Sequence, residues 1–197
     1  MEAASYHHGN LKNELIEAGI QLINQDGAEN FSLRKVAMKC KVSHAAPYKH
    51  FKNKEQLLSE MKNFVISKFM DNLEAVVPSH ESSSILVDLG IAYIGFFIDN
   101  PQYFYFLFSQ EVFDLKITVT DGGLTHSDFG PFELFRKTAE EYMTKVELNQ
   151  SSFSRNIITM WAAVHGLASI FATKHVEYSG DRNVFIREIL EQNIVLN

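Results

Sequence analysis

Between Glu29 and Glu55 the chain has no acidic residue, yet Arg34, Lys35, Lys39, Lys41, Lys49, Lys52 and Lys54 all fall there, joined by His44 and His50. Seven cations with no carboxylate among them make an electrostatic footprint suited to phosphate. The charge is local. Residues 1–58 hold 8 Lys/Arg against 6 Asp/Glu, a net +2, while the remainder holds 10 against 18, a net −8, within an overall −6. That balance argues against a protein that coats nucleic acid over its whole surface and favours one that grips it at one end.

A second constellation lies far downstream. Trp161 and His165 are four residues apart, so a helix places an indole and an imidazole on one face, where they can offer polar handles inside an apolar site. Other residues that could do chemistry do not gather. His7 and His8 are adjacent with no partner cluster and read as a flexible arm able to touch phosphate or the minor groove. Cys40, the single cysteine, reads as a small buried hydrophobe, and Glu140-Glu141 as a solvated pair. No glycine-rich phosphate loop, nucleophile elbow or His-x-x-x-His pair is present. No catalytic residue, metal site or cofactor is therefore expected. The lone cysteine and the lack of a basic-then-apolar N-terminal run predict a cytoplasmic location. The longest apolar run, Ile157 to Ala172, is too short and too interrupted to span a bilayer.

The elements that must position these residues read as helices throughout, because apolar residues recur at helical spacing and no stretch sustains period-two alternation. Helix one starts after Asn10, buries Leu11, Leu15, Ala18, Leu22 and Ile23, and stops at Gly27. Ser32 caps a short helix to about Cys40 that turns Leu33, Val36 and Ala37 inward. After a break at Lys41-Val42, Ser43 caps a third helix from His44 to about Phe51. Asn53 then caps a long fourth helix with a buried stripe of Leu57, Leu58, Met61, Phe64, Phe69 and Leu73. His50 falls about 240° around the third helix from His44, so it is expected to pack. Pro78 and Ser82-Ser83-Ser84 close the fourth helix. Further helices are expected at about 84–99, 101–110, 131–147, 151–175 and 181–196, with 111–130 as the longest irregular connection.

Two short helices joined by a tight turn, the second Ser-capped and flanked by lysines, can lay that second helix in a major groove. The run Phe31-Ser32-Leu33-Arg34-Lys35-Val36-Ala37, then Val42-Ser43-His44-Ala45-Ala46-Pro47-Tyr48-Lys49-His50-Phe51-Lys52-Asn53-Lys54-Glu55-Gln56-Leu57-Leu58, closely resembles the DNA-binding domain of the tetracycline-repressor (TetR) family over about residues 7–60. The resemblance implies that Ser43, His44, Ala45 and Ala46 face DNA and that Tyr48 and Lys54 touch phosphate. Ser32, Arg34 and Lys49 complete the candidate DNA contacts. Physically, a tyrosine hydroxyl and a lysine at a helix start can donate to phosphate and fix register. His44 is long enough to reach a base edge, where Ala45 and Ala46 offer only methyl contacts. Two positions depart from the family pattern. Lys41 stands where glycine is usual in the turn, and Lys49 where a second aromatic is common.

The run Met160-Trp161-Ala162-Ala163-Val164-His165-Gly166-Leu167-Ala168 resembles a Trp-x-x-x-His-Gly helix of one branch of that family, and Tyr93, Phe97, Pro101 and Phe104–Phe108 resemble it too. An apolar ligand is expected between helices 84–110 and 151–175, near Phe97, Phe104, Phe108, Trp161 and His165. The competing reading is that Trp161 and His165 only satisfy core hydrogen bonds against helix 84–99. Helices 151–175 and 181–196, the latter with Phe185, Ile189, Leu190, Ile194 and Leu196, carry more apolar surface than one monomer buries, which predicts a four-helix dimer interface.

The expected architecture is all-α: an N-terminal three-helix helix-turn-helix domain over 1–58, a linking helix to about 77, and a larger helical ligand-binding and dimerisation domain over 59–197. The expected function is a homodimeric transcriptional regulator, by family default a repressor, released from a palindromic double-stranded operator by a small apolar effector. The alternative is a ligand-independent DNA-binding protein of the same fold. No membrane partner is expected.

Overall fold

A computed structural model describes residues 11–77, 84–108, 115–120 and 123–193. Among them are α1 (Leu11–Asp26), α2 (Leu33–Lys39), α3 (Lys54–Glu74), α4 (Ile85–Asp99), α5 (Pro101–Phe108), β1 (Ile117–Thr120), β2 (Gly123–His126), α6 (Gly130–Lys145), α7 (Phe153–Ala172) and α8 (Arg182–Asn193). The fold is helical as expected, with one small antiparallel hairpin that the sequence reading lacked. The chain divides into two compact units, Met1–Val65 with Tyr105–Phe113, and Ile66–Phe104 with Asp114–Asn197. The expected cap Asn10, the His7-His8 arm, Pro78, Ser82, Ser83, Ile194 and Leu196 lie outside the described residues.

In the first unit, α1 buries Leu15, Ile16, Ala18, Gly19, Ile20 and Ile23, whereas Leu11 and Leu22 are half-buried. Gly19 is a point of close approach: a Cβ there would lie 2.8 Å from the Met61 sulfur. Gly27 ends the helix in the left-handed region at φ 82°, its N–H still reaching the Ile23 carbonyl. Ser32 caps α2 as expected, its hydroxyl accepting from the Lys35 N–H. At the far end of α2, the Lys41 N–H bonds the Met38 carbonyl and the Val42 N–H the Ala37 carbonyl, with Lys41 left-handed at φ 56°. This is a Schellman cap built on lysine, at a backbone cost of about 1 kcal/mol that glycine would avoid.

The expected third α-helix is not formed. Residues 44 and 45 form a turn and 46 a bend, and only Pro47–Lys49 make a single 3₁₀ turn. Proline has no N–H to bond the Ser43 carbonyl, so the Ala46 N–H takes that carbonyl at 2.9 Å. Ser43 therefore contributes its carbonyl and does not cap a helix with its hydroxyl. Asn53 does cap α3: its Oδ1 accepts the Gln56 N–H at 2.9 Å, while the Gln56 side-chain Oε1 accepts the Lys52 N–H. The buried positions of α3 run Leu57, Met61, Val65, Phe69 and Leu73 at a constant spacing of four. Val65 therefore takes the inward place expected of Phe64, which is half-buried, as is Leu58.

The second unit is organised around α4, which is apolar on most of its circumference and lies against α6, α7 and α8. Phe69 gathers the rings of Tyr93, Phe96 and Phe97 at centroid distances of 5.0, 5.0 and 4.8 Å. A Cβ on Gly90 would stand 2.8 Å from Leu190 and 3.2 Å from Val164, so the glycine lets both neighbouring helices close in. Ion pairs Arg187–Asp88 (2.6 Å) and Arg182–Asp99 (3.2 Å) tie α8 to α4. Partial burial would raise the Asp88 carboxyl, but the Ser84 hydroxyl and Arg187 outweigh it and hold it below the ordinary value. Leu190 is fully buried within the protomer, which corrects its expected place in a dimer interface.

The hairpin pairs Ile117 with His126 and Thr120 with Gly123. Ile-Thr-Val-Thr is a β-branched run suited to a strand, but four residues are too few to show an alternation in sequence. His126 anchors the hairpin to α6, its Nε2 lying 2.7 Å from Glu133, which also accepts from Arg136 and pairs with Lys137. Arg136, with smaller help from His126 and Lys137, holds the Glu133 carboxyl at about 2.

Candidate functional site

Solvent reaches the segment between α2 and α3 almost everywhere. Ser43, His44, Ala45, Tyr48 and Lys49 are exposed, Tyr48 at 60%, while Pro47 and Phe51 are buried and anchor the turn from below. Arg34 is exposed on α2, and Ser32 and Ala46 are half-buried. Because the tight 3₁₀ turn replaces a regular helix, these side chains radiate from a compact knuckle. The expected packing of His50 is also corrected: it is exposed. Cys40 is half-buried and not sealed in the core, with its sulfur 3.6 Å from the Glu14 carbonyl. Burial, helped by the Glu14 carboxylate, pushes its thiol up and makes it a poor nucleophile at neutral pH.

The cations of the basic stretch are not equivalent. Lys35 pairs with Asp26 at 3.4 Å. Lys54, expected to face phosphate, reaches the Ala28 carbonyl at 2.8 Å, its ammonium 5.9 Å above the Phe31 ring. It closes the loop after α1, so one of its three N–H donors is already engaged. Among the described residues, Arg34, Lys39, Lys41, Lys49 and Lys52 have no carboxylate within ion-pair distance. These free charges, with the hydroxyls of Ser43 and Tyr48, can bind a polyanion, and His44 can present a ring nitrogen to a base edge. The sequence counts Lys41 and His50 in the basic stretch but leaves them out of the candidate DNA contacts; both are exposed, and for His50 the assumed helix hid it.

In the second unit, the His165 imidazole sits between Trp161, near-parallel at 6.2 Å, and Phe104 at 5.4 Å. Its Nδ1 is 2.9 Å from the hydroxyl of Tyr93, a residue on α4 that the sequence reading placed in the branch motif without giving it this role. Burial pushes the Tyr93 phenol well up and the His165 imidazole down, so the pair is held neutral. An adjoining cavity is lined by Leu73, Leu86, Tyr93, Phe135, Met160 and Trp161, among others, with no charged side chain. Its free space is about 20 Å³, enough for a single water and no larger molecule. Of the five residues expected to line a ligand site, Trp161 lines this cavity. Phe97 and Phe104 are buried core, His165 adjoins through Tyr93, and Phe108 belongs to the first unit. No group of three or more His, Cys, Asp or Glu able to hold a metal occurs among the described residues, nor is any described helix long and apolar enough to cross a membrane.

Residues 15–61 match the model for bacterial regulatory proteins of the tetR family. The chain is 24% identical over 90 residues to an uncharacterized HTH-type transcriptional regulator, YobS, of Bacillus subtilis (strain 168), a match covering 46% of this chain and 47% of that one. It is 33% identical over 70 residues to the HTH-type nicotine-responsive transcriptional repressor HdnoR of Paenarthrobacter nicotinovorans, 36% of each. The chain thus spans less than half the length of the curated relatives it matches. Over its whole length it is similar in fold to a TetR-family transcriptional regulator from Haemophilus influenzae RD, with TM-score 0.66, 16% identity and 98% of both chains covered.

Proposed function

We propose, from the match of residues 15–61 to the model for bacterial regulatory proteins of the tetR family, that the protein is a homodimeric transcriptional repressor that binds a palindromic operator through the segment Ser43–Lys49. The observation that carries the reading is the exposed turn itself: Ser43, His44, Ala45, Tyr48 and Lys49 stand in solvent above buried Pro47 and Phe51. A rigid base presenting polar side chains is what groove reading requires. In this reading His44 reads base edges and Ala45 and Ala46 permit close approach. Ser32, Arg34, Ser43, Tyr48 and Lys49 hold the backbone, with Lys54 adding what its remaining donors allow.

Dimerisation is supported by α7. Arg155, Thr159, Ala162, Gly166 and Ile170 recur at three- and four-residue spacing on its exposed side, and a Cβ on Gly166 would meet nothing within 4 Å in the protomer. Beyond Arg155 this face carries small and apolar residues, which suits close packing against a second copy.

An apolar effector is supported by the uncharged aromatic lining around Trp161 and Tyr93. Entry must displace side chains, since about 20 Å³ holds no effector, and that displacement is what could couple binding to DNA release. A hundredfold loss of operator affinity needs about 2.7 kcal/mol of such coupling. The same small volume favours a second reading, a ligand-independent regulator in which Tyr93, Trp161 and His165 serve only the core.

Duplexes recovered from a random-sequence pool by repeated rounds of binding test the first reading. The expected product is an inverted repeat with half-sites about one helical turn apart. Recovery of no duplex, or of one without two-fold symmetry, overturns it. A panel of neutral apolar compounds assayed by melting temperature separates the two readings. A compound that stabilises the protein and releases the recovered duplex supports the sensor, and a flat panel supports the ligand-independent regulator.

A further inference from the structure

Beside the exposed turn lies an open hollow of about 460 Å³, lined by the apolar Leu11, Val42 and Ala46 and by Lys41, Ser43, Lys49 and His50. The aromatic cavity of the second unit holds about 20 Å³, whereas this hollow takes a polyatomic group without any rearrangement. Its chemistry is one-sided. No carboxylate lines it, and among the described residues neither ammonium has an anionic partner, whereas Lys12, Lys35 and Lys54 are engaged by Glu60, Asp26 and the Ala28 carbonyl. Two like charges held at one concavity repel each other, and an anion between them removes that repulsion. The lysines, the imidazole and the Ser43 hydroxyl are all able to donate to a tetrahedral oxyanion.

We propose that Lys41, Lys49 and His50, with the Ser43 hydroxyl, form a seat for one backbone phosphate of duplex DNA, placed at the entry of the reading turn. The proposal rests on the DNA-binding reading above and adds to it a residue, Lys41, that the sequence pattern counts in the basic stretch but marks as a departure in the turn and not as a DNA contact. Its backbone is left-handed at φ 56°. Glycine adopts that conformation more readily than lysine, so the backbone alone gives no reason for lysine there. The charge does, because a glycine at the same corner would leave the hollow with one ammonium instead of two.

This coincidence supplies a variant that separates folding from binding. Lys41→Gly relaxes the corner and removes the charge, so its melting temperature is expected at or above that of the wild type while its DNA binding weakens. Binding of a fluorescein-labelled mixed-sequence duplex is read by anisotropy between about 50 and 300 mM salt. Because Lys49 still contacts the shared phosphate, Lys41→Gly is expected to weaken binding with little change of the log-log salt slope. Lys41→Gly/Lys49→Gln frees that phosphate and is expected to make the slope shallower by about 0.9, which is about eightfold in affinity near 0.1 M salt. Wild-type affinity for Lys41→Gly, or a wild-type slope for the double variant, overturns the seat while leaving the DNA-binding reading intact. A single variant that loses about one unit of slope and a double variant that loses about two show two separate phosphates and also overturn it. A wild type that retains no duplex at any salt removes the DNA-binding reading, and the seat with it.

Discussion

Lys54→Met keeps most of the aliphatic stem against Phe31 and deletes only the ammonium, which isolates the bond to the Ala28 carbonyl. That bond is short, 2.8 Å, and closes the loop that follows the left-handed Gly27. Hydrogen bonds to charged groups contribute about 1.5–3 kcal/mol, and a half-buried lysine belongs at the lower end. The Phe31 ring lies at the limit of useful cation–π range, 5.9 Å, and adds at most about 0.5 kcal/mol. The expected loss is therefore about 1.5–2 kcal/mol. For a chain of this length that corresponds to a drop of about 3–8 °C in melting temperature. Lys54→Arg should recover part of it, since a planar guanidinium keeps the charge but not the tetrahedral geometry. Thermal and urea unfolding of the three proteins supply the measurement. If Lys54→Met melts with the wild type, the ammonium does not hold the Ala28 loop in solution, and the argument that Lys54 is first a structural clamp and only then a DNA contact is refuted.

Ala162→Glu, on the exposed side of α7, should leave the melting of the protomer near that of the wild type but shift the protein to monomer in sedimentation, because a dimer would have to bury an unpaired carboxylate. A wild type that is monomeric at micromolar concentration removes the dimer. His44→Ala should cost about 1–3 kcal/mol on the recovered duplex and much less on scrambled DNA, with the salt slope unchanged, whereas Tyr48→Phe should weaken both duplexes alike. Equal losses for His44→Ala on both would make His44 an anchor and not a reader. His165 is lowered from its ordinary 6.5 by burial, so its neutral form is the one the fold stabilises. Its contribution is complete above about pH 6.5 and declines as pH falls from there toward the lower folded value, because the unfolded chain takes up the proton first. His165→Gln should flatten unfolding free energy against pH in that interval, and an unchanged profile would refute the assignment.

The helices of this chain were legible because their burial is periodic. Leu33, Val36 and Ala37 on α2, and the apolar positions of α4 and α7, announce which side faces inward without any knowledge of neighbours. The caps at Ser32 and Asn53 were legible for the same local reason, since a side-chain oxygen and a backbone N–H two or three residues apart find each other within one turn. The basic stretch and its place beside a helix-turn-helix pattern were likewise written in residue order.

What the order of residues left open was decided by partners distant in the chain. Whether Lys54 faces phosphate or the protein depends on a carbonyl 26 residues away, and the competition between Phe64 and Val65 depends on which side of α3 the rest of the core occupies. Leu190 looked like interface because its helix is apolar, yet Gly90, 100 positions earlier, opens the space that buries it in its own protomer. The neutral Tyr93–His165 pair joins groups 72 residues apart. The turn at 44–49 was settled by a purely local fact, the missing N–H of Pro47, but its consequence was not local. Replacing a helix with a knuckle exposes His50 and sets Lys41 and Lys49 around one hollow. Periodicity reports which way a side chain points along its own element. Only packing determines what it meets, because the energy of a buried contact or a shared charge belongs to both partners and is absent from the sequence of either.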